Sequence, residues 1–94
     1  MTLEKLYSII EDRLINNSSK SYVASLAKKG NDRVIQKVGE EAIELIIAAK
    51  NSDRTEVVAE TADLLFHLLI LLSTQKISLK EIFAELEKRS QKSK

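Results

Sequence analysis

Two runs of the sequence place carboxylates at helical spacing among apolar residues. KVGEEAIELIIAAKN spans Lys37 to Asn51, and EVVAETADLLFHLL spans Glu56 to Leu69. At about 100° per residue, Glu41 falls inside the apolar arc of the first run. Val34, Leu45, Val38 and Ala49 lie roughly 20° to 80° to one side of it, and Ala48 about 20° to the other. Lys37 and Glu44 border the arc at about 40° and 60°, while Glu40 stands further out at about 100°. In the second run Glu56, Asp63 and His67 fall within about 60° of Glu60. Leu71, Leu64, Val57 and Leu68 flank that stripe on one edge, and Ile70, Ala59 and Phe66 on the other. An acidic line inside an apolar helix is costly unless something compensates the charge.

Folding the two runs into an antiparallel hairpin about a tip near Ser52 brings these acids together. Glu44 and Glu60 then stand about 12 Å from the tip, Glu41 and Asp63 about 16 Å, and Lys37 and His67 meet at the next level. Carboxylates converging at two adjacent heights repel one another, and some are forced to hold protons. Divalent cations resolve the conflict. Oxygen-only ligation suits a hard ion such as Mg²⁺, with Mn²⁺ as a substitute. Taken singly, each glutamate has an ordinary reading as a solvated or ion-paired helix residue, as with Glu41 and Lys37 four positions apart. Shared direction and matched height argue against that reading for Glu41, Glu44, Glu60 and Asp63 together.

The elements that must position these residues follow from periodicity and punctuation. Leu3, Leu6, Ile10 and Leu14 share one face of a first helix, about Leu3 to Ile15, which NNSSKS breaks. A short second helix, about Tyr22 to Lys29, is expected to end at Gly30 as a left-handed C-terminal cap. Asn31 is the expected N-cap of a third helix running to about Lys50. Asp53 with Glu56, and Ser78 with Glu81, read as capping boxes opening two further helices. The fourth runs to about Thr74, and the last frays into the basic tail KRSQKSK. Strand-type alternation is absent, so the expected fold is all-α, a bundle of four to five helices.

The chain has 94 residues, which bounds it to one domain, with about residues 3–89 ordered. So small a core makes oligomerisation a fair expectation. Ile43 and Ile47 lie opposite the main apolar arc, and Phe66, Leu69 and Ile70 leave the next helix oily nearly all round. Pairing two such hairpins would bury these faces, so a homodimer or a larger assembly of dimers is expected. Lysine plus arginine (15) nearly balances aspartate plus glutamate (14), which gives no global footprint for nucleic acid. With no cysteine, disulfides, thiolate metal sites and thiol nucleophiles are excluded. MTLEKLYSII lacks a cleavable signal pattern, and the run LLFHLLILL is too short to span a bilayer, which needs roughly 20 residues. A soluble, cytoplasmic protein is expected.

GEEAIE followed by EVVAETAD resembles the EExxE…ExxD signature of the MazG-like all-α nucleotide pyrophosphohydrolases. Within that group, SYVASL, KVGEEAIELIIAAKN and ETADLLFHLLILL resemble the phosphoribosyl-ATP pyrophosphohydrolases of histidine biosynthesis, over about Leu3 to Arg89. The resemblance implies Mg²⁺ held by Glu41, Glu44, Glu60 and Asp63, with Glu40 nearby, either behind these ligands or bridging as a carboxylate. It implies hydrolysis of 1-(5-phosphoribosyl)-ATP to 1-(5-phosphoribosyl)-AMP and pyrophosphate, the second step of that pathway. Members often carry a proline and glycine before the SYT-like segment where this chain has SSKSYV. The cyclohydrolase domain often fused N-terminally is not seen, so a separate protein is expected to act next.

For that reaction no covalent nucleophile is required. Metal ions neutralise and orient the triphosphate. Glu40, Glu41 and Glu44 are alternative acceptors for the proton of the attacking water. Lys37, one turn before Glu41, is the first choice to meet phosphate, with Arg33 and Lys50 behind it. His67 either packs as a hydrogen-bonded core residue, orients Asp63 or contacts substrate, and the resemblance adds Ser21 and Tyr22 to the nucleotide pocket. The nearest rival is a housekeeping enzyme acting on dUTP or damaged nucleotides. A di-iron bundle usually needs two Glu-x-x-His pairs, and the chain has one histidine. A non-catalytic interaction module would leave the matched carboxylates unexplained.

Overall fold

The computed structural model describes residues 1–16 and 21–92. Among these, five helices follow one another: α1 (Leu3–Asn16), α2 (Tyr22–Lys28), α3 (Asn31–Lys50), α4 (Arg54–Thr74) and α5 (Leu79–Lys92). No strand occurs among the described residues, in agreement with the all-α expectation. Of the expected break NNSSKS, residues 17–20 lie outside the described residues.

The longest helices, α3 and α4, form the dominant packing pair, joined by the tip Asn51–Ser52–Asp53. So short a connection makes them antiparallel neighbours. The turn is a Schellman motif: Asp53 N–H donates to the Ala48 carbonyl and Ser52 N–H to that of Ala49, with Ser52 left-handed at φ 54°. The Asp53 carboxylate then caps α4 by accepting from Glu56 N–H at 3.1 Å. Its own N–H is taken by Ala48, so the cap is one-sided and not the reciprocal box read from Asp53 and Glu56. The box at α5 is complete: Ser78 N–H donates to the Glu81 carboxylate at 2.8 Å, and Glu81 N–H to the Ser78 hydroxyl at 3.3 Å. The Ser78 N–H, joined by the Ser78 hydroxyl donating to the same carboxylate at 3.0 Å, holds the Glu81 carboxyl below its ordinary pKa.

The α2–α3 corner differs from the sequence expectation. Gly30 has φ 103° and ψ 163°, a conformation open essentially to glycine alone, but it is the N-cap of α3 and not a left-handed C-cap of α2. Asn31 is therefore the first residue of the helix. Its side-chain oxygen accepts from Gln75 at the far end of α4, at 3.1 Å. Long-range pairing took the amide that local capping would have used.

The core gathers Tyr7 and Ile10 of α1, Val23 and Leu26 of α2, Val34 of α3, Leu69 and Ile70 of α4, and Leu79. Phe66, Leu71 and Leu72 pack against it. Each fully buried aliphatic side chain contributes roughly 1.5–3 kcal/mol. Leu69, Ile70 and Phe66 thus face inward, contrary to the exposed surface expected of them. The exposed apolar side chains of α4 are Val58, Leu65 and Leu68, and those of α3 are Ile35, Ile43, Ile46 and Ile47. The α1–α2 layer covers the α4 residues that periodicity alone left open. As a whole, α4 is long and apolar enough to cross a membrane, the only such helix among the described residues. The run LLFHLLILL is only part of it, so the length argument fails for the complete helix.

A second Schellman turn ends α4. Ile77 N–H donates to the Leu72 carbonyl and Lys76 N–H to that of Ser73, with Lys76 at φ 60°. A side chain with a Cβ is strained there by roughly 1 kcal/mol, whereas glycine is not. Lys76→Gly is expected to stabilise the fold by about 0.5–1 kcal/mol, read as a higher midpoint in urea denaturation with unchanged slope. A lowered midpoint would refute this account of the turn.

Candidate functional site

The carboxylates converge where the hairpin was expected to bring them. Ligand atoms of Glu41, Glu60 and Asp63 all lie within 4.8 Å of one another across the α3–α4 seam. Glu41 is buried on the Val34–Ala48 line of α3, Glu60 is half-buried, and the Asp63 side chain reaches the surface. Glu44, the fourth expected member, does not join this cluster. It is exposed and lies within electrostatic reach of Glu60, one turn nearer the tip. Beside it opens a cavity of ≈ 120 Å³ lined by Glu44, Ile47, Ala48, Asn51, Asp53, Glu56 and Glu60.

The crowding is visible in proton affinities. Burial and the charges of Glu41 and Glu44 push the Glu60 carboxyl above its ordinary value. Burial, the Glu41 charge and a hydrogen bond to Glu41 do the same to Asp63. Burial opposes ionisation of Glu41 too, but the Lys37 ammonium and the Asp63 hydrogen bond outweigh it and hold this carboxyl low. The two facing carboxyls are thus driven apart, Glu41 toward its charged form and Asp63 toward its neutral one. Oxygen donors alone, crowded together and mutually repelling, form a set that suits a hard divalent cation.

One cation reaches into the cluster. Lys37 Nζ lies 3.1 Å from the Glu41 carboxylate and 3.6 Å from that of Glu40. Its hydrogen bond to Glu41 raises its pKa against the opposing effect of burial. Arg33 stands 3.6 Å from Glu40, so Glu40 is held on the outer side of α3 by two basic groups. Lys50 is exposed at the end of α3 and does not line the cavity.

His67 is held at both ring nitrogens. Its Nδ1 lies 2.8 Å from the Asp63 backbone carbonyl and its Nε2 2.7 Å from the Tyr22 hydroxyl. A carbonyl only accepts, so Nδ1–H donates to it and Nε2 is left to accept from Tyr22. His67 is thus a satisfied, buried histidine that also stands 3.9 Å from the Asp63 carboxylate. The Tyr22–His67 bond joins α2 to α4 across 45 positions, and helical periodicity carries no signal for it. Ser21, which the resemblance adds to the nucleotide pocket, caps α2, its hydroxyl accepting from Ala24 N–H at 3.3 Å.

Comparison with known proteins converges on one group. The family model for phosphoribosyl-ATP pyrophosphohydrolase matches residues 3–90. A phosphoribosyl-ATP pyrophosphatase of Metallosphaera sedula is 52% identical over 87 residues, covering 93% of this chain and 94% of that protein. One of Methanosarcina acetivorans is 46% identical over 94 residues, covering 98% and 90%. The histidine biosynthesis bifunctional protein HisIE of Caldanaerobacter subterraneus subsp. tengcongensis is 47% identical over 90 residues, which are 96% of this chain and 44% of that longer protein. With a matching model over nearly its whole length and relatives of this identity, the chain belongs to the phosphoribosyl-ATP pyrophosphohydrolase family.

Proposed function

We propose that this protein hydrolyses 1-(5-phosphoribosyl)-ATP to 1-(5-phosphoribosyl)-AMP and pyrophosphate with Mg²⁺ as cofactor. The observation that carries the proposal is the cluster of Glu41, Glu60 and Asp63 within 4.8 Å, with the Lys37 ammonium paired to Glu41. Family membership supplies the substrate. A divalent cation bound at the cluster would neutralise the triphosphate and polarise the phosphoanhydride. Glu41, fixed by burial and by Lys37, orients the donor set, while Glu60 and Asp63 close it from α4. Mn²⁺ satisfies the same donors.

The remaining residues divide the work by position. Glu44 lines the cavity and has no hydrogen-bond or ion-pair partner among the described residues, so it is the best-placed acceptor for the water proton. Glu40 is engaged by Arg33 and Lys37 and serves less well. Water adds across the α–β phosphoanhydride, its proton passes to Glu44, and pyrophosphate leaves. Lys37, and Arg33 beyond Glu40, line the approach for the phosphate charge. The protein acts as a soluble, cytoplasmic enzyme. Glu60, Asp63 and His67 in mid-α4 make that helix a poor membrane span, since an acidic group at a bilayer centre costs about 2.5–3.5 kcal/mol.

Glu41→Gln, Glu60→Gln and Asp63→Asn are each expected to lower turnover at least a hundredfold while circular dichroism stays unchanged. Glu44→Gln should cut turnover strongly while leaving Mg²⁺ affinity close to wild type. Pyrophosphate release is measured from phosphoribosyl-ATP, dUTP and ATP side by side, with EDTA abolishing it and Mg²⁺ restoring it. Full turnover in chelator would sink the metal assignment, and a preference for dUTP would sink the substrate.

The active unit we propose is a homodimer, alone or within a dimer of dimers. The chain exposes 6861 Å², against roughly 5,500 Å² for a folded monomer of its mass. Its radius of gyration is 14.8 Å, where about 12 Å suits a compact domain of this length. The ≈ 120 Å³ cavity also falls short of the roughly 300–1,000 Å³ that small-molecule sites enclose. Ile47 both lines that cavity and stands half-exposed beside Ile43, so a second copy seated there adds a wall to the site. Light scattering is expected to give twice the 10.6 kDa chain mass, and Ile43→Asp to yield an inactive monomer. A fully active wild-type species at monomer mass would refute the shared site.

A further inference from the structure

We infer that the open face of Tyr22 is the seat of the substrate's purine base, with Phe66 behind the ring and His67 as the positioning residue that fixes it. This rests on the nucleotide reading above. Tyr22 is 49% exposed, an unusual position for a tyrosine so firmly held. One face stacks on Phe66, with ring centroids 6.2 Å apart and planes at 25°. Its flank meets His67 edge-on at 5.6 Å, and its hydroxyl is tied to the buried imidazole at 2.7 Å. With these contacts made, the exposure belongs to the second face. A flat apolar surface is thereby held rigid, which lowers the ordering cost of a base laid upon it.

Its place relative to the carboxylates suits a nucleotide. A single imidazole separates the Tyr22 hydroxyl from Asp63, because His67 bridges them. Lys37 lies close enough to feel the Tyr22 oxygen while its ammonium pairs with Glu41. A base on Tyr22 thus leaves its sugar over the seam and its phosphates toward Lys37 and the acids. The other aromatics do not compete for this role. Tyr7 is buried in the core, Phe66 backs Tyr22, and Phe83 belongs to α5.

Substrate chemistry favours recognition by a face. In 1-(5-phosphoribosyl)-ATP the second ribose occupies N1, which blocks the Watson–Crick edge of the adenine. Both faces of the ring remain free, and stacking on an aromatic side chain needs no edge.

Binding of two probes to the full chain with Mg²⁺ separates base from phosphate: ATP and inorganic triphosphate. Tyr22→Leu is expected to weaken ATP about tenfold and leave triphosphate within about twofold. Tyr22→Phe keeps the ring but loses the bond to His67, so it is expected to weaken ATP as His67→Leu does, by less than Tyr22→Leu, and to leave triphosphate near wild type. His67→Leu weakens ATP in the same sense, and His67→Gln, which offers a donor and an acceptor, recovers it. In the wild-type protein ATP must move the Tyr22 ring-proton resonances upfield while triphosphate does not, a measurement independent of whether any variant folds. Unchanged ATP binding by Tyr22→Leu, equal loss of both probes, or ring resonances indifferent to ATP overturns the base seat. ATP affinity untouched by His67→Leu overturns the positioning role. Base-selective binding without cleavage of phosphoribosyl-ATP would instead defeat the substrate assignment and leave the Tyr22 seat standing.

Discussion

The electrostatic strain among Glu41, Glu60 and Asp63 is the constraint on which the rest depends. These side chains lie on facing sides of one hairpin, with oxygens within 4.8 Å, and water is partly excluded from between them. Attraction to Lys37 relieves Glu41, and its hydrogen bond with Asp63 favours its ionisation further. Neither relieves Glu60, whose neighbours Glu44 and Glu56 add further negative charge. The divalent cation proposed for this site would compensate that charge. The Schellman turn at Ser52 and the Asp53 cap fix the tip, and with it the register that makes Glu41 meet Asp63.

The second constraint is the shortage of material to cover the hairpin. The core draws on α1 and α2 for one side of α4, and the buried residues Ile10, Val23, Leu26 and Ile70 all serve that side. The other side, with Ile43, Ile46, Ile47, Val58 and Leu65, stays exposed among the described residues. α5 contributes Leu79 to the core but keeps Phe83 and Leu86 in solvent. The surplus of exposed surface over a compact monomer is the same fact stated as area. An assembly that seals these faces would also enlarge the cavity next to Glu44, which joins the stability argument to the catalytic one.

Much of this was legible in the sequence because helical periodicity is a local property. Val34, Glu41 and Ala48 repeat every seven residues, and all three are buried, so a glutamate on that line announced itself. The hairpin height match placed Glu41 beside Asp63 for the same reason. What failed did so through contacts between distant segments. Gly30 and Asn31 read as caps locally, but Gln75 claims the Asn31 oxygen, and the glycine conformation serves the start of α3. Leu69, Ile70 and Phe66 read as surface because nothing in α4 tells where α1 and α2 will lie. Glu44 passed the height test yet points toward the cavity and not into the cluster, a difference of side-chain direction that a wheel does not resolve.

His67 joins the two scales. Seen along α4 alone, it is one turn from Asp63 on the acidic stripe, which suggests a partner for the carboxylate. In the fold, its Nδ1–H goes to the Asp63 main chain and its Nε2 accepts from a tyrosine of another helix. The same imidazole therefore sets both the backbone under a proposed metal ligand and the ring of Tyr22. Among the described residues no buried polar side-chain atom lacks a partner, so a shift at either end costs a bond already made. Tyrosine hydroxyl, imidazole and helix carbonyl thus form a stiff link between a surface ring and the acid cluster. Rigidity of that kind keeps a base and a phosphoanhydride at fixed separation, which a reaction run largely by positioning requires.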